Sequence, residues 1–166
     1  MRSTLLALSA VAVLGACSSN SPTAPNVPTV EGAPATAAAK VFPDQEHGGR
    51  PMTVPMTGEQ EAPGPGDPDG TGTARFTFNP GQEEVCFVLE VSDIAPAAAA
   101  HIHIAPAGAP GPIVVPLTAP TSGSSSGCTS ASRELIIAIL QNPEAYYVNV
   151  HNAEFPGGAV RGQLSK

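Results

Sequence analysis

Three histidines of this chain have the residue type and spacing of a metal site. His101 and His103 flank one isoleucine, and His151 ends the segment Tyr147–His151. Alternate residues of a β-strand share a face, so His101 and His103 project together, and His151 joins them if the two segments pair. Neutral imidazole is a common ligand of Zn²⁺ and Cu²⁺, and three such ligands leave one coordination position open. The pattern predicts a copper or zinc site and indicates no other cofactor.

The same histidines have a second interpretation, as members of a hydrogen-bonded polar face. The structural polar cluster expected on that face consists of Asn149, Glu154 and Arg161. Arg161 could hold Glu154 or Glu90 through two parallel hydrogen bonds. Both interpretations stay open, because short motifs produce many false matches.

A pair of cysteines, Cys86 and Cys128, predicts a disulfide. An even pair of thiols in an exported domain is typical of a disulfide, and the alternative is two separate buried thiols. In the chain-entropy model, closing a loop of this length stabilises the fold by about 4 kcal/mol.

The first 17 residues resemble the signal of a bacterial lipoprotein. Arg2 precedes a short apolar run that ends in Leu14-Gly15-Ala16-Cys17. Such a run is typical of a secretory signal, and it is too short to span a membrane. The resemblance implies a signal peptide at 1–16 and a lipid on Cys17 that anchors the mature chain. We therefore expect an exported protein of the cell envelope, on the outer membrane if the host is Gram-negative.

The chain after the signal divides into a tether and one domain. Residues 17–53 begin with the lipidated Cys17 and are rich in Pro, Ala and Ser. They cannot bury enough apolar surface to offset their ordering entropy, so we expect a disordered tether with His47 solvated. Residues 54–166 carry the periodic apolar pattern and are expected to form the folded domain.

Charge and motifs exclude several classes of function. The formal net charge is −7 and no basic stripe is present, so nucleic acid is not an expected partner. The expected partners are a membrane, through the lipid, and an envelope or extracellular protein. The sequence contains no P-loop or dinucleotide fingerprint, and the Gly-x-Ser-x-Gly spacing at Gly123–Gly127 falls in a Ser-rich segment expected to be a loop, so it does not indicate a nucleophile elbow. We assign no catalytic residue and expect a protein that is not an enzyme.

Short alternating segments separated by Gly and Pro predict an all-β domain. The expected strands are a first strand opening at Val54, a hairpin of 73–78 with 85–91, a strand at 97–104, an edge strand at 112–117, and a final hairpin of 146–151 with 159–164. One helix is expected at 133–141, capped by Ser130 or Ser132. The Ser- and Gly-rich residues 121–127 are expected to form a loop.

Several of these segments together resemble the chordin-domain (CHRD) family. They are Gly58–Pro63, Gly70–Ala74, Ala100–His103, Gly111–Val114, Tyr147–His151 and Gly158–Leu164. The resemblance implies an antiparallel Greek-key β-sandwich or barrel, immunoglobulin-like or like copper–zinc dismutase. In animals the domain occurs in secreted antagonists of growth factors. The implied function is a non-enzymatic binding or structural module tethered to a membrane, and metal binding by the three histidines is the alternative.

His101-Ile102-His103 also resembles the two-histidine strand of copper–zinc superoxide dismutases. Apart from His151, residues 54–166 offer no further histidine for a second, histidine-bridged metal. Dismutase activity is therefore not expected, whereas a site for one metal ion stays open.

Overall fold

Alternating apolar residues build eight antiparallel strands and one α-helix within residues 49–166, the part of the chain that the computed structural model describes. In chain order they are β1 Arg50–Thr57, β2 Thr71–Asn79, β3 Glu84–Ser92, β4 Ala97–Ile104, β5 Ile113–Leu117, β6 Ser124–Ser130, α1 Arg133–Gln141, β7 Tyr146–Asn152 and β8 Val160–Gln163. The all-β prediction with one short helix is confirmed.

The strands form one nearly closed barrel with the order β5-β4-β7-β8-β1-β2-β3-β6. The order divides into two four-stranded halves, and the register between β8 and β1 is the single pair Arg161 opposite Thr57. The β3–β4 and β5–β6 connections each cross from one half to the other. This crossing gives the fold its Greek-key character. Because β8 and β1 pair at one position only, the fold resembles both a two-sheet sandwich and a barrel.

The inward side chains of both halves form one hydrophobic core. On β3 the alternate side chains Val85, Phe87, Leu89 and Val91 point inward. On β4 and β7 the aliphatic side chains Ile102, Val148 and Val150 also point inward. All three of these side chains are fully buried. Because alternate residues point to opposite faces, this burial directs His101, His103 and His151 to the outer face of the sheet.

Residues 121–127 do not form the expected loop, since β6 begins at Ser124. The seven residues of β6 pair with β3 in unbroken register from Glu90↔Ser124 to Glu84↔Ser130. Cys86 lies directly opposite Cys128 in this register, and the two sulfur atoms form a disulfide. A Ser-rich segment has little strand propensity of its own, so the partner strand and the cross-link decide its conformation.

Helix α1 has the predicted bounds and packs against the core. Ile136 and Ile139 are fully buried in the core. Of the two expected caps, Ser132 fills the role, because its side chain accepts a hydrogen bond from the backbone N–H of Leu135.

Strand β1 begins at Arg50, before the expected domain start at residue 54. Pro51 and Pro55 fit this strand because β8 pairs with β1 at one position only, so the missing N–H groups cost few ladder bonds. The expected signal peptide, the expected lipidation site Cys17, and His47 lie outside the described residues. No helix in residues 49–166 is long and apolar enough to cross a membrane.

Candidate metal site

Antiparallel pairing of β4 with β7 brings the three histidines together. His101 lies opposite Asn149, His103 opposite Tyr147, and Ala99 opposite His151. The three imidazoles therefore occupy neighbouring positions on one face, as the sequence predicts for paired strands. β7 also pairs with β8, which places Arg161 beside Asn149 on the same face.

The imidazole nitrogens are close enough to share one ion. One ring nitrogen from each of His101, His103 and His151 lies within 4.8 Å of the other two. Nδ1 of His101 and Nε2 of His151 are 3.3 Å apart. Ligand atoms of a tetrahedral ion with bonds of ~2.0 Å lie about 3.3 Å from one another, so modest ring rotation completes the geometry.

Backbone carbonyls orient two of the three rings. Nδ1 of His103 lies 2.8 Å from the carbonyl oxygen of Gly111, and Nδ1 of His151 lies 3.1 Å from that of Pro156. A carbonyl oxygen only accepts, so each Nδ1 carries the proton and each Nε2 presents a lone pair. Nε2 of His103 is buried and has no hydrogen-bond partner among the described residues. A buried lone pair of this kind suits a metal ion.

The cluster favours the neutral form of the His101 and His151 imidazoles. Burial, and secondarily the neighbouring His151 and His103, lower the pKa of His101 to about 4. Burial also lowers the pKa of His151, against the opposing effect of its hydrogen bond to Pro156. Neutral imidazole is the form that binds metals, so these two rings need no deprotonation at neutral pH.

Tyr147 supports His103 in two ways. The two rings stack with centroids 4.7 Å apart and planes 6° from parallel. The phenol oxygen of Tyr147 accepts a hydrogen bond of 3.3 Å from the backbone N–H of Gly111, whose carbonyl holds His103. A Cβ on Gly111 would collide with the carbonyl oxygen of Ile104, so this close approach requires glycine. Tyr147 shares the strand face of His151, and the period-two pattern could have identified it.

The expected contacts of Arg161 with Glu154 and Glu90 are wrong. Its guanidinium, in a side chain only 1% exposed, donates to the carbonyl oxygens of Ala109 and Pro106 at 3.0 Å each. It also lies 3.4 Å from the centroid of the Tyr147 ring. Arg161 is buried, and its guanidinium obtains fixed carbonyls from the loop that covers it and an aromatic face from β7.

The two carboxylates expected near Arg161 have other surroundings. Glu90 accepts a hydrogen bond of 3.0 Å from Arg75 on the neighbouring strand. Glu154 lies in the turn after β7, where its backbone N–H donates to the Asn152 side chain. Of the predicted polar cluster, Asn149 and Arg161 are therefore buried neighbours, and Glu154 lies in the turn beyond them.

Glu61 interacts with the buried Asn149 and Arg161, and sequence analysis did not assign it to this polar cluster. Burial raises the pKa of Glu61 to about 7, against the opposing effects of Arg161 and a hydrogen bond from Asn149. Its Oε1 is buried and has no hydrogen-bond partner among the described residues. Glu61 lines a cavity of about 250 Å³ between residues 61–65 and 154–158. Loop packing creates this burial, and no local sequence pattern reports it.

The outer face is less solvated than the sequence predicts. His103 is only 7% exposed and Asn149 only 1%, while His101 and His151 are part-buried. The loop after β4 covers His103 and Arg161 through the contacts described above. The cluster nevertheless opens to solvent through a pocket of about 410 Å³, which all three histidines line.

The protein is therefore a small, disulfide-bonded all-β domain that presents a histidine cluster on one outer face of its Greek-key barrel. A model of the CHRD domain matches residues 52–164, and the chain belongs to the CHRD family. CHRD domains are binding-type domains and are not known as enzymes. No curated protein and no solved structure is significantly similar to the chain.

Proposed function

We propose that this chain is an exported, membrane-tethered CHRD protein that binds one copper or zinc ion through His101, His103 and His151. The convergence of three imidazole nitrogens within 4.8 Å carries the metal proposal. The protein holds the ion and supplies no catalytic group of its own.

Three features support the metal proposal: the imidazole ligands, the tautomers of His103 and His151, and the buried, unpartnered Nε2 of His103. Three imidazoles suit Cu²⁺ and Zn²⁺ and do not suit Mg²⁺ or Ca²⁺, which prefer oxygen ligands. The carbonyls of Gly111 and Pro156 hold Nδ1 of His103 and His151, so each Nε2 presents its lone pair; that of His103 has no partner among the described residues, and that of His151 lies 3.3 Å from Nδ1 of His101. A hydrogen-bonded polar face would give the buried Nε2 of His103 a donor, and none is present among the described residues.

Metal analysis of the full chain tests the proposal. We expect one Cu²⁺ or Zn²⁺ ion per chain, and loss of this stoichiometric binding in His103→Gln. Copper in the wild type should show nitrogen hyperfine coupling from imidazole in its electron paramagnetic resonance spectrum. At a free metal concentration of 100 times Kd, binding should raise the free energy of unfolding by about 2.7 kcal/mol.

His47→Gln is the matched control, because it removes a histidine outside the cluster. It should leave the stoichiometry and affinity unchanged. Equal metal content in the wild type and in His103→Gln, or no metal in either, would overturn the metal proposal.

The lipoprotein part of the proposal has its own test, because it depends only on the signal-like residues 1–17. Mass spectrometry of the membrane fraction should find a chain that starts at Cys17 and carries lipid. Cys17→Ser should release the protein from that fraction. A mature chain beginning at any other residue would contradict the lipid anchor.

Binding of an envelope or extracellular protein is the second candidate function. Membership in a family of binding-type domains favours it. Crosslinking of the purified, folded chain in an envelope extract should capture one protein partner specifically. Identical crosslinks with a heat-denatured sample would remove this candidate.

A further inference from the structure

We infer that the open coordination position of the histidine site is a binding site for a small anion. This inference rests on the proposed metal site and adds the class of ligand that the bound ion takes. The position faces a pocket of about 410 Å³, which is large enough for water or a small ion.

The charge of the site favours an anion. All three ligands are neutral imidazoles, so a bound Cu²⁺ or Zn²⁺ keeps its full double charge. None of the described residues that line the pocket is acidic. A carboxylate ligand would have compensated this charge from within the protein. In its absence, an anion from solution gains more than neutral water does.

The walls of the pocket strengthen this preference. Beyond the histidines, the pocket is lined mainly by the apolar residues Ala98, Ala99, Ile113 and Pro156. Asn152, the remaining polar lining residue, is 2% exposed, and its side-chain oxygen accepts from the backbone N–H groups of Glu154 and Phe155. Low-polarity walls screen charge poorly, so the attraction between the ion and an anion is stronger here than in open solvent.

The single open coordination position limits the anion to one donor atom. His103 is buried against Tyr147, whereas Ile113 lines the pocket and is 52% exposed, so Ile113 lies at the pocket mouth. Monodentate anions such as halide, azide, hydroxide or a single carboxylate fit this position. The exchange is a simple substitution in which the anion displaces a metal-bound water and no bond within the protein changes.

Azide titration of the Cu²⁺-loaded full chain tests this inference. Azide should bind saturably and produce a new charge-transfer absorption together with a shift of the copper resonance spectrum. Ile113→Asp places a negative charge at the mouth, and either repulsion or direct ligation should weaken azide binding by about tenfold. Ile113→Asn has the same shape without the charge and should bind azide like the wild type.

The outcomes separate the two proposals. Full copper binding without any azide response overturns the anion site and leaves the metal site intact. Loss of copper binding by His103→Gln together with its azide response supports both. An azide response that persists in His101→Gln/His103→Gln/His151→Gln reports adventitious copper elsewhere and overturns the inference. Equal azide affinity in Ile113→Asp and Ile113→Asn also overturns it.

Discussion

At the scale of single residues, the proposed metal site depends on groups outside the three histidines. The carbonyl oxygen of Gly111 lies within hydrogen-bond distance of Nδ1 of His103, and the phenol oxygen of Tyr147 accepts a hydrogen bond from the backbone N–H of the same glycine. Arg161 packs against the Tyr147 ring, 3.4 Å from its centroid. Packed and hydrogen-bonded neighbours thus fix the orientation of the His103 imidazole, as is common for histidine ligands.

Tyr147→Phe should weaken metal binding by about tenfold, because it removes the acceptor of the Gly111 N–H and keeps the stacked ring. Metal competition titrations measure the affinity. Tyr146→Phe is the control, since Tyr146 faces the core on the opposite side of β7. An unchanged affinity in Tyr147→Phe would contradict the supporting role of the hydroxyl.

Arg161→Met should lower the free energy of unfolding by about 3 kcal/mol, because it leaves buried carbonyl oxygens and Glu61 without their cation. Urea denaturation measures this loss. In a double-mutant cycle with Glu61→Gln, the two losses should not be additive, because removal of Glu61 also removes the uncompensated charge. Strict additivity would show that the two side chains do not interact energetically.

At the scale of elements, the sheet edge and the helix obtain their stability differently. β6 has little strand propensity and depends on its ladder with β3 and on the disulfide. Helix α1 has a strong amphipathic pattern and a good cap. The two elements should therefore respond to different substitutions.

Cys86→Ala/Cys128→Ala should reduce the free energy of unfolding by about 4 kcal/mol, because the cross-link closes a loop over a separation of 42 residues. Thermal denaturation measures the change. Hydrogen exchange should accelerate first at the amides of β6. A reductant should destabilise the wild type and have no effect on the variant; equal responses would exclude a stabilising disulfide.

Ser132→Ala should cost about 1 kcal/mol, because Ser132 caps α1 through the Leu135 N–H. Ser130→Ala is the matched control, since Ser130 ends β6 and does not cap the helix. Chemical denaturation of both variants measures the difference. An equal loss in both would argue against the cap at Ser132.

At the scale of the whole molecule, the shifted pKa values of Glu61 and His101 make the free energy of unfolding depend on pH. Glu61 has its pKa raised from 4.5 to about 7 in the folded state. Between these values the folded chain binds more protons at Glu61 than the unfolded chain does, so the free energy of unfolding falls as pH rises. His101 acts in the opposite direction, because its pKa is lowered from 6.5 to about 4.

Glu61→Gln separates the two effects. Relative to this variant, the wild type should lose on the order of 2 kcal/mol of unfolding free energy between pH 4.5 and 7, a value reduced for the partial exposure of the carboxyl group. Urea denaturation across this range measures it. Glu59→Gln alters an exposed neighbour and should keep the wild-type slope. Parallel slopes for the wild type and Glu61→Gln would contradict the assignment.

The histidine faces and the final hairpin could be predicted from the sequence because they follow from local rules. Alternation along β4 and β7 separates Ile102 and Val148 from His101 and His103, whatever else the chain does. The helix at 133–141 follows equally from its apolar spacing and its polar boundary residues. These features depend on neighbours a few residues apart.

Only the tertiary structure decided which groups surround the histidines. The carbonyl that orients His103 lies 8 residues away, the carbonyls that bind Arg161 lie 52 and 55 residues away, and Glu61 lies 100 residues from Arg161. β6 likewise exists because β3 pairs with it. The free energy of such contacts depends on loop closure and on packing of the whole domain, which no local pattern along the chain records.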